Sequence, residues 1–322
     1  MGCVNKLLTI LNYFSQFSIM SQSMWKDTRL AKLYRSGERI SGPPAGRLIE
    51  QAGLLGDLPT RPLVIFDNAC GTGITASLLY KMVPEENREG LTVICGDISS
   101  VMVGATQERI EVNGWAGAKA QVVDGMYKAP LKTHDDRPQK TGFPDNHFSH
   151  VLTNFGIMLM PEPVDALAEC LRILQPGGTC GLSTWQSIGW IPDVQAAIAT
   201  IQGAPPFPDA QAFGAAMIKG DWHDPSFVEA MLNRSGFEGV VVNTTRHVAN
   251  MGSPEVHADL FSGMLPNMLL GSKAWSNDDV ERYGKLLAPA LARYYKDRDG
   301  EGKDVEFEMV AIIATAQKPA AA

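Results

Sequence analysis

What the chain lacks narrows its class before any motif is read. No pair of cysteines has C-x-x-C spacing; Cys3, Cys70, Cys95, Cys170 and Cys180 are odd in number and widely separated. That pattern suits neither a zinc ribbon nor a disulfide scaffold, and it reads as reduced thiols in an intracellular, cytoplasmic protein. Lys and Arg form no run and the formal net charge is −7, so nucleic acid, which needs a basic face, is not an expected partner. Leu7 to Met20 is apolar but interrupted by Asn, Ser and Gln, too short and too polar to span a bilayer. Met1-Gly2-Cys3 is followed by Lys6, where a myristoylation signal needs Ser or Thr. The N-terminal segment is therefore expected to be a packed or disordered extension and not an anchor.

Several catalytic signatures are missing too. None of the seven tyrosines has Lys four residues on, which removes the short-chain oxidoreductase pair. Gly181-Leu-Ser183-Thr-Trp185 lacks the last glycine of a nucleophile elbow, and no P-loop occurs. His147-x-x-His150 has no companion ligands at metal-site spacing, and it falls where a turn meets a strand. A metal is not expected.

What is present is an alternation. Leu63–Asp67, Leu91–Gly96, Ala120–Val123, Phe148–Asn154 and Thr179–Trp185 read as strands, separated by helical stretches at 73–83, 100–113 and 164–174. Continuous apolar strands alternating with helices predict an α/β, Rossmann-like, doubly wound sheet, mostly parallel with an antiparallel edge strand. Glu238–Arg246 and Val305–Thr315 read as two further strands. Residues 25–55 read as helical, broken at Ser41-Gly42-Pro43-Pro44. The expected organisation is an N-terminal extension with lid helices over 1–60, then one domain over 61–322 carrying helical insertions around 191–235 and 254–296.

The first strand runs into Asp67-Asn-Ala69-Cys-Gly71-Thr-Gly73-Ile-Thr-Ala76. Glycines in a strand-to-helix turn let backbone approach a ligand closely, and the helix start aims N–H groups at it. The G-x-G-x-x-A spacing alone permits a dinucleotide. Asp97 ends the second strand, where a carboxylate can accept both hydroxyls of a ribose. Asp124 follows the third strand, where it can accept from an adenine amino group. Asp67 precedes the glycines, and its negative charge suits a ligand with a cationic end better than a pyrophosphate, which it would repel.

Five ordered motifs between Pro62 and Trp185 resemble those of class I S-adenosylmethionine-dependent methyltransferases. Asp67 to Gly73 resembles the family's D-x-G-x-G-x-G, with Ala69 in place of its first glycine. Asp97, Ile98 and Met102 resemble the ribose and adenine motif, and Asp124-Gly125-Met126 the third. Phe143-Pro-Asp-Asn-His-Phe148 resembles the entry to strand four, and Leu174-Gln-Pro-Gly-Gly178 the turn before strand five. The nearest likeness is to fungal secondary-metabolite methyltransferases, relatives of the quinone-pathway enzymes that include methyltransferases of dithiol metabolites such as reduced gliotoxin. The Trp25 helix and Gly220-Asp-Trp-His-Asp-Pro225 carry that likeness.

The resemblance implies S-adenosyl-L-methionine as cofactor, held by Asp67, Ala69, Gly71, Gly73, Asp97, Ile98, Met102, Asp124, Gly125, Met126, Asn154 and Phe155. It implies methyl transfer, by in-line displacement, to a thiol, oxygen or nitrogen of an apolar small molecule. Trp25, Tyr34, Met158, Trp185, Trp190, Trp222, Phe261, Met264 and Met268 are the candidate acceptor wall, since aromatic and Met side chains suit an apolar ligand. His223 is the sole candidate base, with holding the Asp-Pro turn as its competing role. Two alternatives stay open: a protein of this fold that binds the cofactor without transferring methyl, as a cyclase or binding protein, and an NAD(P)-dependent oxidoreductase.

Overall fold

In the computed structural model, residues 28–55, 62–85, 88, 90–125 and 141–320 are described. Cys3, Trp25 and Met126 lie outside them. The described residues divide into two compact units: a sheet unit drawn from 34–125, 141–189, 218–250 and 306–320, and a helical unit of 28–33, 190–217 and 251–305.

The sheet has seven strands in the order β3-β2-β1-β4-β5-β7-β6. They are β1 (Leu63–Asn68), β2 (Leu91–Asp97), β3 (Ala118–Val122), β4 (Phe148–Asn154), β5 (Leu174–Ile188), β6 (Glu238–Asn250) and β7 (Glu306–Gln317). The first five pair in parallel, and β7 enters antiparallel between β5 and the outermost strand, β6. Parallel neighbours require crossovers. These are α2 (Ile74–Met82), α3 (Ser100–Asn113) and α4 (Pro163–Ile173), as the alternating pattern predicts. Strand order reverses between β1 and β4, and the crevice at the carboxyl ends of such strands is where this architecture binds ligands.

Each face of the sheet carries its own core. On one side Phe66, Phe148, Val151, Leu167, Leu182 and Ile312 pack together. On the other Ile65, Leu79, Val93 and Leu152 meet Leu48, Ile49 and Leu54, from and just beyond α1 (Thr28–Gln51). The Phe143-to-Phe148 motif is packing chemistry: the Phe143 ring stands edge-on to Phe66 at 5.0 Å and to Phe148 at 4.9 Å. In the Leu174-to-Gly178 turn, a Cβ on Gly178 would sit 2.8 Å from the Gln175 carbonyl oxygen, so no side chain fits there.

One expected break is absent. Helix α1 runs unbroken through Pro43 and Pro44. A proline in a helix leaves the carbonyl four residues earlier without its partner. For Pro44 that carbonyl belongs to Ile40, and His247 on β6 donates to it from Nε2 at 2.9 Å. A tertiary contact 207 residues away in the chain thus supplies the hydrogen bond that the proline removes.

The insertions are also bounded differently. α7 (Pro225–Arg234), placed within an insertion by its helical pattern, belongs to the sheet unit, with Val228 and Leu232 in its core. Trp222, proposed for an acceptor wall, is 1% exposed in that core. Its indole N–H donates to the Lys219 carbonyl at 3.1 Å, its own carbonyl accepts from Thr184 at 2.8 Å, and its ring meets Phe227 edge-on. The indole N–H and the carbonyl are both spent within the protein, so Trp222 is a core anchor.

The helical unit contains α5 (Ile191–Ala199), α6 (Ala210–Met217), α8 (Pro254–Gly271) and α9 (Asn277–Asp299). Trp190 packs against Phe207, Phe213 and Phe261, at 5.2 Å from the last. Asp193 accepts from Arg298 at 2.7 Å and from the Tyr294 hydroxyl at 3.1 Å. Trp190 and Phe261, read as wall residues, are buried within this unit's own aromatic core, while Met264 and Met268 are half-buried one turn apart on α8.

Replacing Trp222 by Ala should cost about 3–5 kcal/mol of folding stability, the usual range for emptying a large aromatic site. Denaturant unfolding of the ligand-free protein measures it; an unchanged midpoint would contradict a core role.

Candidate active site

The glycine turn departs from β1 in an unusual backbone. Ala69, Gly71 and Gly73 all have positive φ, at 56°, 54° and 83°. Glycine adopts this region freely, whereas an alanine there costs about 1–2 kcal/mol. Ala69, standing where the resembling motif has glycine, takes the left-handed conformation nonetheless. Its methyl is accommodated because residue 156 is glycine: a Cβ on Gly156 would lie 2.6 Å from the Ala69 Cβ. At Gly71, by contrast, an added Cβ would meet nothing within 4 Å. The turn faces open space at that point.

Asp97 holds the turn from below. One carboxylate oxygen accepts the Gly71 N–H at 2.9 Å and the other accepts the Ser99 N–H at 2.9 Å. A carboxylate has about four acceptor positions, so the two oxygens keep capacity for a diol. Burial raises the Asp97 pKa, and the two N–H donors oppose that rise. Ser99 caps α3 by accepting from the Met102 N–H. Thr106, one turn further along α3, donates to the Gly71 carbonyl at 2.8 Å.

Asp67 is fully buried, and neither oxygen completes a hydrogen bond to the protein. Burial pushes its pKa up to about 7; the Ala76 N–H and the Thr75 hydroxyl at the start of α2 oppose this without closing a bond of good geometry, and the Asp97 charge adds to the rise. An uncompensated buried carboxylate is costly. A cationic group beside it would relieve the cost. The neighbouring thiols of Cys70 and Cys95 are pushed upward by burial first and the Asp67 charge second, which keeps them protonated and unreactive. The four cysteines among the described residues are all free and buried.

Asn154 and Phe155 end β4. The Asn154 side-chain Oδ1 accepts from the Ser183 hydroxyl at 2.7 Å, and the Phe155 N–H donates to that same hydroxyl oxygen at 3.0 Å. Phe155 has φ 55° and stacks on Trp185 at 3.7 Å between ring centroids, nearly parallel. Strained backbone of this kind persists where its surroundings over-determine it. Met158 lies buried just beyond. Asp124 and Gly125 are half-buried at the end of β3, where the Val123 N–H donates to the Asp97 carbonyl.

The remaining candidates separate. Ile98 is 47% exposed beside Asp97, whereas the Met102 side chain is 1% exposed beneath α3, so Met102 reaches the site through its helix and not by its surface. Tyr34, a candidate for the acceptor wall, is near Asp97: burial first and the Asp97 charge second raise its phenol pKa. His223 is exposed. The turn it occupies is capped by Asp224, which accepts the Ser226 N–H at 2.9 Å, so the turn-holding role passes to its neighbour. His147 lies edge-on to Phe148, and His150 pairs with the Ser149 hydroxyl. Among the described residues no three His, Cys, Asp or Glu gather as a metal site, and no helix is long and apolar enough to cross a membrane.

Pattern reading missed Thr106, Glu38 and Arg109. Arg109 binds Glu38 at 2.7 Å, the Thr72 carbonyl at 3.2 Å and the Ser77 hydroxyl at 3.1 Å. Ser99 was legible as a helix cap, since it directly precedes a helical run.

A sheet with this strand order, a glycine turn after β1 and a carboxylate closing β2 defines a nucleoside-binding α/β enzyme. Over residues 66–182 the chain matches the family model described as a methyltransferase domain. It is 33% identical over 300 residues to methyltransferase tpcH of Aspergillus fumigatus, covering 93% of this chain and 100% of that one. It is 33% identical over 297 residues to the acetylaranotin bis-thiomethyltransferase of Aspergillus terreus, covering 92% and 97%. Phosphoethanolamine N-methyltransferase 2 of Haemonchus contortus superposes with a TM-score of 0.49 at 14% identity, over 85% of this chain and 52% of that one. The chain belongs to the S-adenosylmethionine-dependent methyltransferases. Its residues fit that cofactor: the partnerless Asp67 carboxylate and the open space at Gly71 are what a cationic ligand lying on the turn requires.

Two predictions follow from this geometry. Gly156→Ala should destabilise the protein through the Ala69 contact, and Ala69→Gly should restore most of the lost melting temperature; equal losses in the single and double variants would refute the contact.

The second concerns pH. Because the folded-state pKa of Asp67 is raised, its contribution to ligand-free stability is present below the ordinary carboxylate value and lost as pH rises through about 7. A cationic ligand favours the ionised form, so cofactor affinity should strengthen from acid pH up to about 7, by at most about tenfold per unit. Binding in that range should release a proton, measurable by calorimetry in buffers of different ionisation heat. Asp67→Asn should flatten the profile.

Proposed function

We propose that this enzyme transfers the methyl of S-adenosylmethionine to a thiol or oxygen, with nitrogen as the third possibility, on an apolar small-molecule natural product. The observation that carries the acceptor class is the full-length similarity to the Aspergillus terreus bis-thiomethyltransferase. A second supports it: Phe155, Met158 and Trp185 form an apolar group where β4 and β5 end, and His223 is exposed and not embedded in the site. A thiol needs little help beyond ionisation, whereas a weaker acid needs a base.

S-adenosylmethionine, when bound, supplies a methyl already activated on a sulfonium. The protein's part is placement. Asp97 binds the ribose hydroxyls with the acceptor capacity left by Gly71 and Ser99. Asp67 compensates the cationic end, Ile98 offers an apolar surface beside Asp97, and Asp124 with Gly125 borders the base. Held by these residues, the cofactor would supply the methyl for in-line displacement by the acceptor, and the residues' own part is to hold the two in line. Alignment of this kind can supply up to about 7–11 kcal/mol of barrier lowering.

The test is methyl transfer from labelled cofactor to reduced dithiols, phenols and amines. Methylated thiol or oxygen is expected, and Asp97→Asn should weaken cofactor binding about ten- to hundredfold, the worth of a charged hydrogen bond. Cofactor binding without transfer to any of these acceptors would overturn the proposal in favour of a non-methylating role. His223→Ala should cost less than about tenfold in turnover, since a general base contributes roughly 10²–10⁴-fold.

A further inference from the structure

The carboxylate of Glu38 joins α1 to the glycine turn and, through Arg109, to α3. Its Oε1 accepts from the Thr72 hydroxyl at 2.7 Å and from the Arg109 guanidinium at 2.7 Å. Arg109 in turn holds the Thr72 carbonyl and the Ser77 hydroxyl. Helix α1, the glycine turn, α2 and α3 therefore meet at one ion pair, whose side chains are only 15% and 18% exposed. Thr72 lies between Gly71 and Gly73, and its side chain is gripped from α1 while the Gly71 N–H is gripped by Asp97. The turn is thus held on two sides by two carboxylates.

The same helix reaches the site a second time. Tyr34, one turn before Glu38, lies close enough to Asp97 for that charge to act on its phenol. Beyond Glu38, Arg39 donates to the Asn250 carbonyl at 3.3 Å, the Ile40 carbonyl accepts from His247, and the Ser41 carbonyl accepts from Asn154 at 3.4 Å. Residues 38–41 are pinned at every position, to the turn, to α3, to β4 and to β6. The contact at Ile40 also completes the helix at Pro44, and the shared effect of all four residues is to fix α1 against the glycine turn, α3, β4 and β6.

We propose that Glu38 is a positioning residue for the cofactor, acting through Thr72: the Glu38–Arg109 pair is the latch that holds α1 on the glycine turn and sets how long the cofactor stays bound. The proposal rests on the cofactor lying at Gly71–Gly73 and Asp97. With the latch closed, the turn keeps the left-handed backbone that leaves space at Gly71. With the latch open, Thr72 loses both its side-chain and carbonyl partners, and the turn and α1 are free to separate. Removing one partner leaves the other charge partly buried and uncompensated, so the latch is cooperative and not a sum of independent contacts.

The experiment compares Glu38→Gln, Thr72→Val, Thr72→Ser and the Glu38→Gln/Thr72→Val double variant in the full chain. The readouts are S-adenosylmethionine dissociation, by chase of labelled cofactor, its Kd, and the melting temperature without ligand. Glu38→Gln and Thr72→Val should each raise the dissociation rate and Kd about five- to fiftyfold, the range for a hydrogen bond to a charged group. Thr72→Ser, which keeps the hydroxyl, should bind like the parent protein, and the double variant should be no worse than the weaker single one. Lower melting temperatures with unchanged dissociation and Kd would reduce Glu38 to a structural tie and overturn the latch. Asp97→Asn separates the two levels of argument: if it too leaves Kd unchanged, the cofactor lies elsewhere and the proposal falls with that placement; if it weakens binding while the latch variants do not, only the latch is wrong.

Discussion

The site depends on one carboxylate that works twice. Asp97 ends β2 and accepts an N–H from the glycine turn and another from the start of α3. One donor comes from the glycine turn and the other from the residue that caps α3. A neutral side chain could not hold both with the same strength. The carboxylate thereby sets the spacing between turn and helix before any ligand arrives, and its burial is tolerated because those donors offset the desolvation. Preorganisation is the physical meaning of an acid at this position.

Around it the sheet unit shows a division of labour. Asp97 is satisfied by the protein, while Asp67, thirty residues earlier, is left for a ligand to satisfy. The Asp97 charge adds to the rise at Asp67, while the backbone N–H groups of Gly71 and Ser99 go to Asp97.

The sheet was largely legible from apolar runs because parallel strands are covered on both faces. The glycines, Asp67 and Asp97 were legible because turn chemistry is local. What resisted reading was tertiary. Pro43 and Pro44 read as a break, yet a histidine on β6 takes the orphaned Ile40 carbonyl. Trp222 looks like a ligand-facing aromatic in its short motif, and only its surroundings show that its indole N–H and carbonyl are spent internally. Met102 occupies a motif position but contributes a backbone, not a surface. Glu38 and Arg109 stand 71 residues apart, with no local pattern to join them. Ala69 was the informative departure: its tolerance is written at Gly156, which no inspection of the glycine motif would consult.

The strand order carries a kinetic consequence. β6 pairs with no strand other than β7, and β7 is the last strand among the described residues. During synthesis β6 has no sheet neighbour until residues 306–317 have been made, although its thirteen residues are complete well before then. The histidine that completes α1 sits on that waiting strand. Helix α1 and strand β7 therefore reach their final hydrogen bonding in the same late event, before which an unpaired strand edge and the open Ile40 carbonyl coexist.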